Sequence, residues 1–269
     1  MLFRSRVVVL RSGRNVGERL TKDTDVRELA NLMVGREVLE RIERSDVKPT
    51  ERLLEVDGLT VKGDRGLDAV DNVSFSVRRH EILGLAGVSG NGQSELCEAI
   101  FGVRTFAGGA ITVGGARVYG ADPAKVVSLG VARIPEDRIG TGLLMELNLP
   151  VNVVLEQHGK PPYSRNGLLK HGVVESFAKQ LVEEYSIKVG GLSEPVRSMS
   201  GGNLQKLMVG RGRSGEPEVV VAARPTRGLD VGAMEYVHTQ ILAQKERGAA
   251  VLLVSDDLDE VFALSDRIM

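Results

Sequence analysis

A chain of 269 residues, 42% apolar and 26% charged, is long enough to bury a full core and reads as a soluble globular protein of one large domain plus a fragment. Its formal net charge of -1 argues against a generally sticky nucleic-acid binder, and its single cysteine, Cys97, excludes an intrachain disulfide and suits a reducing compartment. The basic start carries an apolar run only from Val7 to Leu10, too short for a signal peptide, and no later run approaches membrane-spanning length, so membrane association is expected only through partners.

In chain order, Val7 to Leu10, a turn bearing Ser12, Gly13 and Asn15, and Val16 to Glu18 predict a hairpin. Asp25 to Met33 predicts a short helix, with Asp25 as its cap and Glu28 three residues on. The charged, Pro-containing stretch Glu40 to Glu51 predicts a linker, drawn at its narrowest as 48–52. A new unit begins at Leu53. Leu53 to Val56 and Asn72 to Val77 alternate as half-buried strands, whereas Ile82 to Leu85 is a continuous, buried one. Helix Gln93 to Phe101, a hairpin around Ile111 to Gly115, helix Pro123 to Leu129 and strand Val131 to Ile134 follow. From Met145 to Tyr185 the pattern turns helical, interrupted at Pro161 to Ser164, which predicts an inserted helical subdomain at about 145–213. Helix Asn203 to Arg213, strand Val219 to Ala222, helix Gly232 to Arg247, strand Val251 to Val254 and helix Asp257 to Leu264 complete an α/β alternation, hence a largely parallel sheet.

The stretch that organises the rest is Gly87-Val88-Ser89-Gly90-Asn91-Gly92-Gln93-Ser94, between an apolar strand and a helix. Glycines let successive backbone N–H groups point inward, and the following helix start adds its positive dipole end, so the loop can cradle a phosphate without a side chain. The spacing matches G-x-x-x-x-G-K-[ST], except that Gln93 stands where the lysine belongs. One charge at ~4 Å is worth ~4 kcal/mol at an effective dielectric near 20, so a neutral amide should hold phosphates more weakly. An ordinary glycine-rich turn reads the same residues equally well. A nicotinamide-binding turn fits less well, because its third glycine would fall on Glu95.

Met199-Ser200-Gly201-Gly202-Asn203-Leu204-Gln205-Lys206 opens a second helix with a serine cap and two glycines, a further anion-binding helix start. An apolar strand then runs into Ala223-Arg224-Pro225-Thr226-Arg227-Gly228-Leu229-Asp230, and the last strand into Val254-Ser255-Asp256-Asp257. A glycine loop, S-G-G, P-T-x-G-L-D and that final strand occur here in the order of ABC-transporter nucleotide-binding domains, which Leu53 to Ile268 resembles. Pro135-Glu136-Asp137-Arg138, Pro161 to Arg165 and Pro225 to Ala233 are most similar to the second of two fused domains in importers of nucleosides and simple sugars. The resemblance implies a P-loop NTPase-like α/β core with a mostly parallel sheet, an antiparallel β subdomain and an inserted helical subdomain. It also implies that Met1 to Val47 is the tail of a preceding domain, that 53–269 is the second domain, and that the chain stops at Met269 before the family does.

Mapped onto this chain, the family's Mg²⁺-holding aspartate falls on Ala223 and its catalytic glutamate on Arg224. The switch histidine falls on Asp256 and the Q-loop glutamine on Glu136, while no aromatic lies near Val61 to Arg65 to stack adenine. Losing any one such group costs orders of magnitude in phosphoryl transfer, so this site is expected to bind ATP weakly and not to hydrolyse it. Ser94 remains as the potential Mg²⁺ ligand, a weak one beside Ala223. Ser200, Gly201, Gly202, Asn203 and Gln205, with Asp230, are the residues that the resemblance places against the ATP of a second nucleotide-binding domain facing this one head to tail. Permease subunits in the membrane, with this chain peripheral on the cytoplasmic face, are the other partners implied, and nucleic acid is not among them. Two rival readings are a soluble ABC-type ATPase acting on nucleic acid or ribosomes and a scaffold module without a nucleotide role. His80, His158, His171 and His238 show no metal spacing and are expected in surface or packing roles, and Cys97 as a small buried hydrophobe.

Overall fold

Valine-rich runs with no polar alternation demand burial on both faces, and a parallel sheet covered on each side supplies it. The computed structural model describes residues 6–11, 13–35, 37, 47–213 and 215–269. In chain order the strands are β1 (Arg6–Arg11), β2 (Arg14–Leu20), β3 (Arg52–Lys62), β4 (Asp68–Arg78), β5 (Ile82–Ala86), β6 (Gly108–Val113), β7 (Ala116–Val118), β8 (Val131–Ile134), β9 (Ser164–Arg165), β10 (Leu168–Leu169), β11 (Val219–Ala223), β12 (Ala250–Ser255) and β13 (Arg267–Ile268). The helices are α1 (Val26–Val34), α2 (Gln93–Ile100), α3 (Pro123–Ser128), α4 (Leu149–Val154), α5 (His171–Glu184), α6 (Gly201–Arg213), α7 (Val231–Glu246) and α8 (Leu258–Leu264).

The central sheet has order β13-β5-β12-β11-β8 and every pairing in it is parallel. Alternate residues of each strand feed two different cores. Val220, Ala222, Val251 and Leu253 join the side chains of α4 to α7, whereas Val219, Val221, Leu252 and Val254 join β3, β4, β6 and α2. Each fully buried leucine or valine contributes ~2 kcal/mol of apolar transfer, so neither layer can be peeled away cheaply. Gly84 in β5 is required by this packing, because a Cβ there would overlap the Ser265 hydroxyl and crowd Val261 of α8. The second sheet, β4-β3-β6-β7, is antiparallel throughout.

Three expectations need correction. β3 and β4 are 11 residues each rather than short segments, because register shifts around Val56, Leu59 and Val61 scramble the polar alternation that would have revealed them. The interruption expected at Pro161 to Ser164 is wider than that: turns and the β9–β10 hairpin fill the interval between α4, which ends at Val154, and α5, which starts at His171. Residues 50–52 do not form a free linker. Thr50 N–H donates to the Arg79 carbonyl at 3.2 Å, Glu51 pairs with Arg79, and Arg52 opens β3. Positions 40–46 of the expected linker lie outside the described residues. The α1 cap is as expected, with Asp25 Oδ1 accepting the Glu28 N–H at 2.7 Å.

Candidate functional site

The glycine loop leaves β5 at Ala86 and enters α2 at Gln93. Gly90 and Gly92 take φ of 90° and 92°, a left-handed conformation that side-chain-bearing residues resist. A Cβ on Gly92 would also overlap the carbonyl oxygen of Ala69, since β4 presses against the loop there. Gln93, only 6% exposed, folds back into the cradle. Its Nε2 donates to the Val88 carbonyl at 3.0 Å, and its Oε1 accepts the Asn91 N–H at 3.1 Å. Asn91 Nδ2 donates to the same Val88 carbonyl at 3.2 Å. The loop therefore spends an inward N–H on its own side chain, while Val88, Ser89 and Ser94 stay exposed.

Beyond the loop, β11 ends at Ala223, which offers no oxygen. Arg224 follows with φ 42° and is 6% exposed, its backbone N–H donating to the Val254 carbonyl at 2.7 Å. Its guanidinium Nη1 pairs with Glu136, and its Nε lies 3.5 Å from Asp256 Oδ2, an ionic contact beyond good hydrogen-bond reach. Arg227 Nη1 takes the other oxygen of Glu136. Asp256 Oδ2 also accepts from the Ser89 hydroxyl at 3.3 Å, which joins this cluster to the glycine loop. Ser94, Cys97, Glu136, Ala223 and Arg227 line one cleft of about 550 Å³. Residues 88–94, 136, 223, 224 and 256, scattered over the sequence, thus come together.

The donors present do not fit a magnesium-bound nucleotide poised for reaction. The Ser94 hydroxyl is exposed, but the carboxylates of Glu136 and Asp256 already face guanidinium groups. Among the described residues no three His, Cys, Asp or Glu side chains are grouped to hold a metal ion. Beside Val61 to Arg65, where no aromatic stands, Arg104 ties the β3–β4 turn to α2, through Asp64 at 2.8 Å and Glu98 at 2.6 Å.

The second helix start is differently disposed. Ser200 and Gly201 are exposed, and a Cβ on Gly201 would meet open space. Gly202 packs toward Ala233 at the start of α7. Asn203 Nδ2 donates to the Ser200 hydroxyl at 2.9 Å, and its Oδ1 accepts the Lys188 N–H at 2.9 Å, which fixes the serine in place. Gln205 departs from expectation: it is 1% exposed and donates to the Pro225 carbonyl at 2.7 Å, so it faces the core and ties α6 to the loop after β11. Asp230 is exposed and caps α7, accepting the Ala233 N–H at 2.9 Å. Among the described residues no hydrogen bond or ion pair joins 200–202 to the glycine loop of the same chain.

Sequence reasoning missed a buried carboxylate. Glu260 accepts from Thr226 at 2.8 Å and Ser255 at 2.6 Å and lies 2.9 Å from His238 Nε2, joining the loop after β11, the end of β12 and α7. The histidine's packing role thus has a polar side. Arg227 was passed over because its partner Glu136 is 91 positions away, and no local spacing signals such a pair. Cys97 is buried as expected, and that burial pushes its thiol up to about 12.

Comparison with known proteins gives a consistent picture. The family model described as ABC transporter matches residues 70–227. Guanosine import ATP-binding protein NupO of Bacillus subtilis is 43% identical over 98% of this chain and 52% of its own length. Glucose import ATP-binding protein TsgD13 of Haloferax volcanii is 42% identical over 98% of this chain and 48% of its own. The chain therefore spans about half the length of the curated relatives it matches. Among solved structures, an ATP-binding subunit of an ABC transporter superposes with TM-score 0.63 and 27% identity, covering 80% of this chain and 84% of that one. The dimeric bacterial cassette MJ0796 gives TM-score 0.68 over 81% and 93% of the two chains, and at 18% identity speaks for the fold alone.

Proposed function

The chain belongs to the ABC transporter family, and from that premise we propose that it is the non-hydrolysing half of an import ATP-binding protein for nucleosides or simple sugars. Residues 53–269 form its second nucleotide-binding domain, 145–213 its helical region, and 1–47 the tail of a preceding domain. The chain presents Ser200, Gly201, Gly202 and Asn203 to ATP held by a partner domain packed head to tail, and passes closure on to permease subunits at the cytoplasmic face of the membrane. Among the described residues no helix is long and apolar enough to cross a membrane, so attachment runs through those partners. Any ATP at its own loop is held weakly, and Mg²⁺ only through Ser94. The relatives named as guanosine and glucose import proteins support the substrate class.

One contrast carries the reading: the chain's own cradle is filled by Gln93 and its acidic groups are spent on Arg224 and Arg227, while Ser200 and Gly201 stand exposed. A helix start with free N–H groups and a fixed hydroxyl is suited to a γ-phosphate supplied from outside. The test is to mix the chain with a catalytically complete first domain from such an importer. Alone it should release no phosphate above background. Together the two should assemble only with ATP and turn over, and Ser200→Arg should cut that turnover at least about tenfold. Phosphate release by the chain alone that vanishes on Ser94→Ala would sink the reading, as would assembly indifferent to ATP, the behaviour of a scaffold.

A further inference from the structure

Four segments that meet at this site have no covalent reason to stay together: the glycine loop, the turn after β8, and the ends of β11 and β12. In the structure they are joined by charge. Glu136 after β8 takes Arg224 with one oxygen and Arg227 with the other, Arg224 Nε reaches Asp256 after β12 at 3.5 Å, and Asp256 holds Ser89 of the loop at 3.3 Å. Two cations face two anions, so the set is balanced. Arg224 is almost wholly buried, and a buried guanidinium stripped of its partners is far costlier than an exposed one.

The chain of contacts continues beyond the charges. Asp137, next to Glu136, caps the π-helical turn Arg138–Gly142 by accepting the N–H groups of Ile139 at 3.0 Å and Gly140 at 2.9 Å. Gly142 of that turn lies against Met208 in α6, so closely that a Cβ there would collide with the thioether. The same helix begins at Ser200 to Gly202. Fixing Glu136 therefore fixes the turn, and the turn seats α6.

We propose that Glu136, Arg224, Arg227 and Asp256 form an internal tether that holds the glycine loop, the Arg138–Gly142 turn and the signature helix assembled without a nucleotide, so that this domain keeps one shape whether or not ATP is offered to it. The proposal deepens the non-hydrolysing reading above and rests on it. Glu136 and Arg224 act in it as positioning residues. A charged ligand entering the site would have to compete with both carboxylates for Arg224, and the tether already supplies the cohesion that such a ligand could provide.

Hydrogen exchange read by mass spectrometry on the full chain tests this, over peptides spanning 134–142 and 200–213. In the wild type, millimolar ATP with Mg²⁺ should leave both peptides unchanged, while ~0.5 M NaCl should speed their exchange by screening the partly exposed pairs. Glu136→Gln keeps the side-chain shape and should speed exchange in both about tenfold, whereas Glu136→Asp should restore much of the protection. Slower wild-type exchange at 134–142 with ATP overturns the tether, and so does a Glu136→Gln protein that exchanges like the wild type. Should that variant fail to fold, the wild-type responses to ATP and salt decide alone. Phosphate release measured on the same samples separates the two ideas. Turnover with unchanged exchange refutes the non-hydrolysing role and spares the tether, while an inert chain whose 134–142 peptide slows with ATP refutes only the tether.

Discussion

The side-chain amide of Gln93 donates to the carbonyl oxygen of Val88 at 3.0 Å, closing the glycine loop on itself. An incoming phosphate would have to displace this contact and the one from Asn91 N–H to Gln93 Oε1. Gln93→Lys substitutes a cation that can leave the ring to meet an anion, so nucleotide affinity should rise by about tenfold or more. Turnover should remain absent, because Ala223 and Arg224 still lack the carboxylates that phosphoryl transfer needs. Calorimetry and phosphate release on the same variant check both halves, and turnover appearing with the lysine alone contradicts the argument.

Glu260 bears on stability rather than chemistry. Its two oxygens serve Thr226, Ser255 and His238, tying the loop after β11, the end of β12 and α7 to α8. Glu260→Ala leaves two hydroxyls and an imidazole without their acceptor in a buried site, and should cost about 3 kcal/mol in urea unfolding. Glu260→Gln keeps one acceptor oxygen and should cost roughly half as much. Equal losses for both variants would mean that packing, not hydrogen bonding, is what Glu260 provides.

The parallel sheet was legible because Ile82 to Leu85, Val219 to Ala222 and Val251 to Val254 are apolar at every position, which only two-sided burial explains. β3 and β4 were legible only in part. Asn72 sits within β4 at φ 49°, and a bulged strand loses the period of two that sequence reading relies on. At the site, what was legible is what is local. Gly87 to Ser94 and Ser200 to Gly202 are contiguous motifs, each readable from its own residues. The inward turn of Gln205 and the sharing of Glu136 by Arg224 and Arg227 depend on which elements the fold brings together, and neither leaves a mark within a window of sequence.

Burial pushes the Cys97 thiol up to about 12 from its ordinary 9.0. At pH 8 the thiolate fraction in the folded chain is then about a thousandfold lower than in the unfolded one, before steric protection is counted. Iodoacetamide should therefore label the chain only in denaturant. The sign for stability follows from the raised value. The contribution is fully present below pH 9 and is lost as pH rises toward 12, because the unfolded thiol ionises first. Cys97→Ala should flatten that alkaline limb, and rapid labelling of the native chain at pH 8 would contradict the burial argument.

Asn152 on α4 is 0% exposed yet carries four hydrogen-bonding groups' worth of contacts. Its Oδ1 accepts the Leu144 N–H at 2.9 Å, and its Nδ2 donates to the carbonyls of Leu144 at 3.0 Å, Leu147 at 3.3 Å and Asn148 at 3.1 Å. The segment 143–148 is irregular: its carbonyls also accept backbone N–H groups, Leu144 from Leu147 and Leu147 from Val196, both at 3.0 Å, whereas the Leu144 N–H goes to the Asn152 amide oxygen. Asn152→Ala removes both donor and acceptor at once and should destabilise the chain by about 2–4 kcal/mol. Asn152→Leu, which restores apolar volume, should do no better, because the cost lies in the stranded Leu144 N–H and the weakened carbonyl contacts rather than in a cavity. Asn152→Asp keeps the acceptor for Leu144 N–H but sets a buried anion against three carbonyls, and should be the worst of the three at neutral pH. It should recover in part as pH falls and the carboxyl takes up a proton that it can donate. Thermal unfolding of the three variants across pH 4 to 8 reads out that order, and an Asn152→Leu protein as stable as the wild type would overturn the assignment of Asn152 as the support of this segment.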